Sequence, residues 1–95
     1  MCIRDSILTI EDNPISRKVL RLCLEAENYT VVEACDGASG LDEAKNQNFD
    51  LIIQDLFLPD MDGFTLNKKL RALPGVQDIP ILALSGYLLS LIHIC

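Results

Sequence analysis

The chain is short of the groups that most often carry chemistry by themselves. It has one histidine, His93, and four cysteines, Cys2, Cys23, Cys35 and Cys95, with no C-x-x-C spacing and no cysteine–histidine cluster. Histidine catalysis and a thiolate–imidazole metal site therefore have no support. Lys and Arg number 8 against 14 Asp and Glu, a net charge of −6, and no basic stripe is present. Direct nucleic-acid binding by this segment is not expected. No apolar run reaches the roughly 18 residues that a membrane-crossing helix needs, so no membrane partner is expected of the segment. Cys23 and Cys35 read as reduced small hydrophobes, which suits a cytoplasmic protein.

The two ends carry a relation of their own. A DNA stretch that encodes Met1-Cys2-Ile3-Arg4-Asp5-Ser6 has a reverse complement that translates as Leu-Ser-Leu-Ile-His followed by Ile or Met. Leu89-Ser90-Leu91-Ile92-His93-Ile94 reads that way. One inverted repeat, similar to a transposon-end adaptor of sequencing libraries, accounts for both. Residues 1–6 and 89–95 are therefore expected to be adaptor-derived scars, leaving 7–88 as the native part, cut on both sides. Cys2, Cys95 and His93 then drop out of the chemistry. Arg4 and Asp5 cancel, so the acidic balance stands.

Strand and helix patterns alternate between those ends. Ile7–Ile10 has the pattern of a short buried strand. Asn13 offers a helix N-cap and Pro14 sits at the first helical position, where its missing N–H costs nothing. Ile15, Val19, Leu22, Cys23 and Ala26 follow as an apolar stripe at helical spacing. Tyr29–Glu33 is β-branched and predicts a second strand. A loop through Asp36-Gly37 leads to a weaker helix carrying Ala38, Leu41 and Ala44, with Gly40 counting against it. Leu51–Gln54 predicts a third strand, apolar enough for the centre of a parallel sheet. Asp62 caps a third helix with the face Leu66, Leu70 and Leu73, which Pro74-Gly75 stops. Pro80–Leu84 predicts a fourth strand running into Ser85-Gly86. The order βαβαβαβ implies an α/β fold with a parallel sheet and right-handed crossovers.

The acids fall at informative places. Glu11 and Asp12 end the first strand, and Asp55 ends the third. Parallel strands expose their C-terminal ends on one edge, where ligands bind. Three carboxylates gathered there repel one another unless a cation sits between them. An oxygen-only set suits Mg²⁺, which takes one or two carboxylates together with waters and phosphate oxygens.

With these positions in view, the chain resembles the response-regulator receiver domains of two-component phosphorelays. The matching segments are Ile-Glu-Asp-Asn-Pro at 10–14, Gln-Asp-Leu-Phe-Leu-Pro-Asp-Met-Asp-Gly at 54–63 and Ile-Pro-Ile-Leu-Ala-Leu-Ser-Gly at 79–86. Three separated motifs occur in the right order, each at the C-terminal end of a strand, and the likeness covers 7–88. The resemblance implies a flavodoxin-like doubly wound sheet of order 2-1-3-4. Asp55 would be the phosphoacceptor, taking a phosphoryl group from a phosphohistidine of a histidine kinase or histidine phosphotransfer protein. Asp12 would bind Mg²⁺ directly, Glu11 through metal-bound water, and the Phe57 backbone carbonyl would be a further ligand. Ser85 would be the switch hydroxyl that meets the phosphoryl oxygen, while Pro59 and Gly63 shape the loop. The module would be a phosphoacceptor, not a turnover enzyme.

Blander roles compete at each position. Asp55 could cap a helix, Glu11-Asp12 could favour a helix N-terminus through its dipole, and Ser85 could be a turn residue. Asp60 and Asp62 read as solvated or capping residues. A calcium loop at Asp60–Gly63 is rejected, because Leu58 and Lys69 stand where ligating acids belong. A phosphorylation-independent pseudo-receiver is the main functional alternative. An aspartate-nucleophile phosphatase of the haloacid-dehalogenase type would need an acid where Phe57 stands. The family also carries a lysine about twenty residues beyond the switch hydroxyl, at the end of a fifth strand. That strand and the last helices have no counterpart here, which predicts a marginally stable, aggregation-prone fragment with an exposed fourth strand.

Overall fold

Seven elements alternate along residues 6–84, the part of the chain that the computed structural model describes. They are β1 (Ser6–Ile10), α1 (Pro14–Ala26), β2 (Thr30–Ala34), α2 (Gly37–Asn46), β3 (Leu51–Asp55), α3 (Gly63–Arg71) and β4 (Ile81–Leu84). Ser85 and the expected scars, apart from Ser6, lie outside the described residues. All strand pairs are parallel, in the order β2-β1-β3-β4 that the resemblance implied. The chain leaves β1 toward β2 on one side and then crosses to β3 on the other. Right-handed crossovers therefore place α1 on one face and α2 and α3 on the opposite face. The reversal opens a crevice between the C-terminal ends of β1 and β3.

Alternation along each strand sorts the core by face. Leu8, Ile10 and Ile52 pack with Leu66, Leu70, Phe49 and Val76 beneath α2 and α3. Ile7, Ile53 and Leu84 pack with Leu20, and with partly buried Leu24 and Tyr29, beneath α1. Gln54, buried between the sheet and α3, donates from Nε2 to the Gly63 carbonyl at 2.8 Å. That bond ties the start of α3 to the strand that carries Asp55.

Helix starts follow the local signals. Asn13 Oδ1 accepts from the Ile15 and Ser16 N–H groups, with Pro14 next in line. Asp36 caps α2 through the Ser39 N–H, and Asp62 caps α3 through the Thr65 N–H. α1 ends where Asn28 turns left-handed at φ 72°, a conformation that asparagine tolerates better than most residues.

Several expectations need correction. β1 begins at Ser6, whose N–H donates to the Asp50 carboxylate at 2.8 Å, because a ladder uses backbone groups whatever the side chain. β2 is Thr30–Ala34, since Tyr29 leaves the ladder to pack against the α1-side core. The α1 stripe is rotated: Ile15 and Leu22 are 68% and 51% exposed and Ala26 is exposed, whereas Leu20 is buried. Ala38 is exposed, and Gly40 takes its place on the buried face of α2. A Cβ on Gly40 would sit 2.5 Å from Ile10 Cδ1, so the glycine lets α2 lie against β1. Cys23 is disulfide-bonded, not reduced, and Cys35 is the free thiol among the described residues. β4 is hydrogen-bonded to β3 alone among the described strands, and Leu82 on it is 50% exposed.

Candidate metal and phosphoacceptor site

Register brings the acids together. β1 and β3 are neighbours with Ile10 opposite Gln54, so Glu11 and Asp55 are the next residues on adjacent strands at the C-terminal edge. Asp12 follows as the chain turns into α1. One carboxylate oxygen from each of Glu11, Asp12 and Asp55 falls within a set whose members lie within 4.8 Å of one another. Backbone bonds hold the edge on both sides: Glu11 N–H to the Ala34 carbonyl at 3.0 Å, and Leu56 N–H to the Leu84 carbonyl at 2.9 Å. Within the site, the Asn13 N–H donates to Glu11 Oε2 at 3.0 Å, and the Phe57 N–H to Asp55 Oδ1 at 3.2 Å.

The electrostatics match a site short of positive charge. The Glu11 carboxyl is pushed up to about 7, chiefly because burial strips it of water. The neighbouring Asp55 adds charge repulsion and a shared hydrogen bond, and Asp12 adds further repulsion, while the Asn13 N–H pulls the other way. Part of the cluster therefore holds a proton near neutrality, where a divalent cation would replace it. The donor set is all oxygen, as Mg²⁺ prefers.

This shift fixes a pH dependence. A carboxyl raised above its unfolded value of 4.5 binds more protons folded than unfolded between about 4.5 and 7. Its contribution to stability is thus present below about 4.5 and lost as the pH climbs through about 7. Metal-free protein is expected to show a falling urea midpoint across that window. Because Mg²⁺ must expel the proton, its apparent Kd is expected to worsen by about tenfold per pH unit below 7 and to level off above it. Calorimetric titration at several pH values checks this, and a flat profile would contradict it.

Glu11, Asp12 and Asp55 thus stand where the sequence placed them. Phe57 lies on the adjoining loop, its backbone bridged antiparallel to Asp62, with its ring 73% exposed. The Ser85 assignment lies outside the described residues, one position beyond Leu84, which pairs with Asp55. Two contributors escaped the sequence. Arg17 Nη1 donates to the Glu11 carbonyl at 2.9 Å and the Asp12 carbonyl at 3.4 Å, bracing the acidic turn from the first turns of α1. Asp60 accepts from the Gly37 and Ala38 N–H groups at 2.9 Å each, so it caps α2 in addition to Asp36. These bonds, the one to Gly37 foremost, hold its carboxyl below the usual range. Asp62 is lowered as well, chiefly by the Thr65 N–H. Arg17 has only a faint sequence signal, a cation one helical turn into α1 with Lys18 beside it. The Asp60 contact spans 23 residues and has none.

Comparison with known proteins places this geometry. The family model for the response regulator receiver domain matches residues 7–89. The sensor protein EvgS of Escherichia coli (strain K12) is 44% identical over 66 residues, which is 70% of this chain and 6% of that protein. The receiver domain of the sensor histidine kinase PA1611 from Pseudomonas aeruginosa PAO1, solved with a magnesium ion coordinated in its active site cleft, superposes with a TM-score of 0.84 at 32% identity. That match covers 92% of this chain and 71% of the other. The chemotaxis response regulator CheY4 of Vibrio cholerae gives a TM-score of 0.83 at 31% identity, covering 85% and 68%. The chain spans 10% of the gliding motility regulatory protein of Myxococcus xanthus and 6% of EvgS, a small part of these curated relatives.

Proposed function

This chain belongs to the response regulator receiver domain family, and on that premise we propose that Asp55 is its phosphoacceptor in a two-component phosphorelay. The donor is a phosphohistidine on a histidine kinase or histidine phosphotransfer protein. The observation that carries this is the close approach of the Glu11, Asp12 and Asp55 carboxylates at one sheet edge, each delivered by the strand its motif ends.

The chemistry follows from the residues. A carboxylate oxygen of Asp55 forms the new bond to phosphorus as the bond from phosphorus to the donor imidazole nitrogen breaks. The products are an acyl phosphate and a histidine that takes up a proton. Asp55 is half-buried, so the incoming group reaches it from solvent along the crevice. Its hydrogen bond from the Phe57 N–H orients the carboxylate. Asp12 would hold Mg²⁺ directly, Glu11 would do so through water, and the Phe57 carbonyl would be a further ligand. Bound there, Mg²⁺ would supply positive charge against the phosphoryl oxygens. The Ser85 hydroxyl bonds the phosphoryl oxygen once it has arrived. The module works as an accepting partner in signalling, not as a turnover enzyme.

The test is to incubate the chain with acetyl phosphate, with and without Mg²⁺. We expect a mass gain of one phosphoryl group that requires Mg²⁺, is lost in hydroxylamine, and maps to Asp55 after borohydride reduction. A label on another residue, or none in the presence of Mg²⁺, would overturn the proposal.

A further inference from the structure

The loop that follows Asp55 is fastened to an element that takes no part in the acidic cluster. Within the loop, the Gly63 N–H donates to the Leu56 carbonyl at 2.8 Å and Phe57 bridges Asp62, closing 56–63 upon itself. Such a closed loop can still pivot about its ends. Asp60, at its far side, spans to the first two residues of α2 with both carboxylate oxygens, Oδ1 to the Gly37 N–H and Oδ2 to the Ala38 N–H. Two bonds from one planar group restrain rotation as well as distance. They also satisfy N–H groups that a helix leaves open at its start, where a negative charge is favoured.

The neighbouring residue completes the fastening. Met61 lies against Gly37 so closely that a Cβ there would sit 2.7 Å from its Cγ and Sδ. α2 already has its own cap in Asp36, which accepts from the Ser39 N–H at 2.7 Å. Asp60 is therefore not needed to begin the helix, and its two bonds chiefly restrain the loop.

We propose that Asp60 is a positioning residue: by clamping the loop to the N-terminus of α2, it holds the Phe57 carbonyl in place for the cation bound by Asp12 and Asp55. The inference rests on the metal-binding role proposed above. Its consequence is that α2 sets the affinity of a site to which it contributes no ligand.

The test is Mg²⁺ titration of the full 95-residue chain, followed through the backbone amide resonances of 55–58. Asp60→Ala is expected to raise the Kd by about tenfold, the low end of what losing an outer-shell support costs. Asp60→Asn keeps one carbonyl acceptor and is expected to fall between Asp60→Ala and wild type. Asp36→Ala removes an acid and a cap from the same helix without touching the loop, and is expected to leave the Kd within about twofold. Wild-type affinity in Asp60→Ala would overturn the inference. So would equal weakening in Asp60→Asn, which would assign the effect to charge, or equal weakening in Asp36→Ala, which would assign it to helix stability. Asp12→Asn separates the two proposals. Undiminished binding there would remove the metal site itself, whereas loss there beside wild-type affinity in Asp60→Ala sinks this inference alone.

Discussion

Asp55→Asn is expected to take up no phosphoryl group from acetyl phosphate, its rate falling by at least roughly a thousandfold. The two side chains have nearly the same shape, so the Phe57 N–H keeps an acceptor and β3 keeps its pairing with Leu84. What disappears is the anionic oxygen, since a neutral amide is a poor nucleophile toward phosphorus. A second effect accompanies the first. Asp55 raises the Glu11 carboxyl both by charge and by a hydrogen bond, so removing its charge returns Glu11 toward the ordinary range. The metal-free variant is therefore expected to be more stable than wild type at pH 7, with a shallower loss of stability between about 4.5 and 7. Phosphorylation followed by mass spectrometry and urea melts at two pH values check the two halves. Labelling at the wild-type rate would place the acceptor elsewhere. An unchanged pH profile would show that Asp55 does not act on Glu11.

Leu70→Ala is expected to cost about 2–5 kcal/mol, the range for truncating a fully buried leucine. Leu66 and Leu70 are both wholly inaccessible and hold α3 against Leu8, Ile10 and Ile52. Small domains have only about 5–15 kcal/mol in total, so this single change removes a large share of what holds the fold. The loss extends to the site, because α3 begins at Gly63, to which Gln54 and Leu56 are bonded. Leu82→Ala, at a residue half exposed on β4, is expected to shift stability by no more than about 0.5 kcal/mol. Urea midpoints followed by circular dichroism compare the pair. Equal effects would mean that α3 does not seal the core.

Much of the site was legible because its signals are local. Glu11, Asp12 and Asp55 each follow directly on a short apolar strand, and a parallel βαβ order sends all such ends to one edge. The caps Asn13 and Asp62 act within three residues of themselves, so their chemistry can be read without a fold. The face of α3 was also clear, with Leu66 and Leu70 one turn apart and no rival stripe. α1 was different. Ile15, Val19, Leu22 and Ala26 form one apolar row at helical spacing, but Leu20 and Leu24 form another beside it. Helical periodicity cannot rank two such rows, and the sheet surface under α1 took the second. Gly40 shows the same limit from the other side. A glycine that weakens a helix by itself is the residue that lets this helix close on Ile10.

By itself, then, the sequence determined the alternation of elements, the helix starts, and the three acids at the ends of two strands, because each depends on neighbours a few residues away. Tertiary structure alone decided which row of α1 is buried and that Asp60 reaches the start of α2. Those outcomes depend on which surfaces meet once the sheet is built, and bonds between distant parts of the chain leave no period or spacing along it.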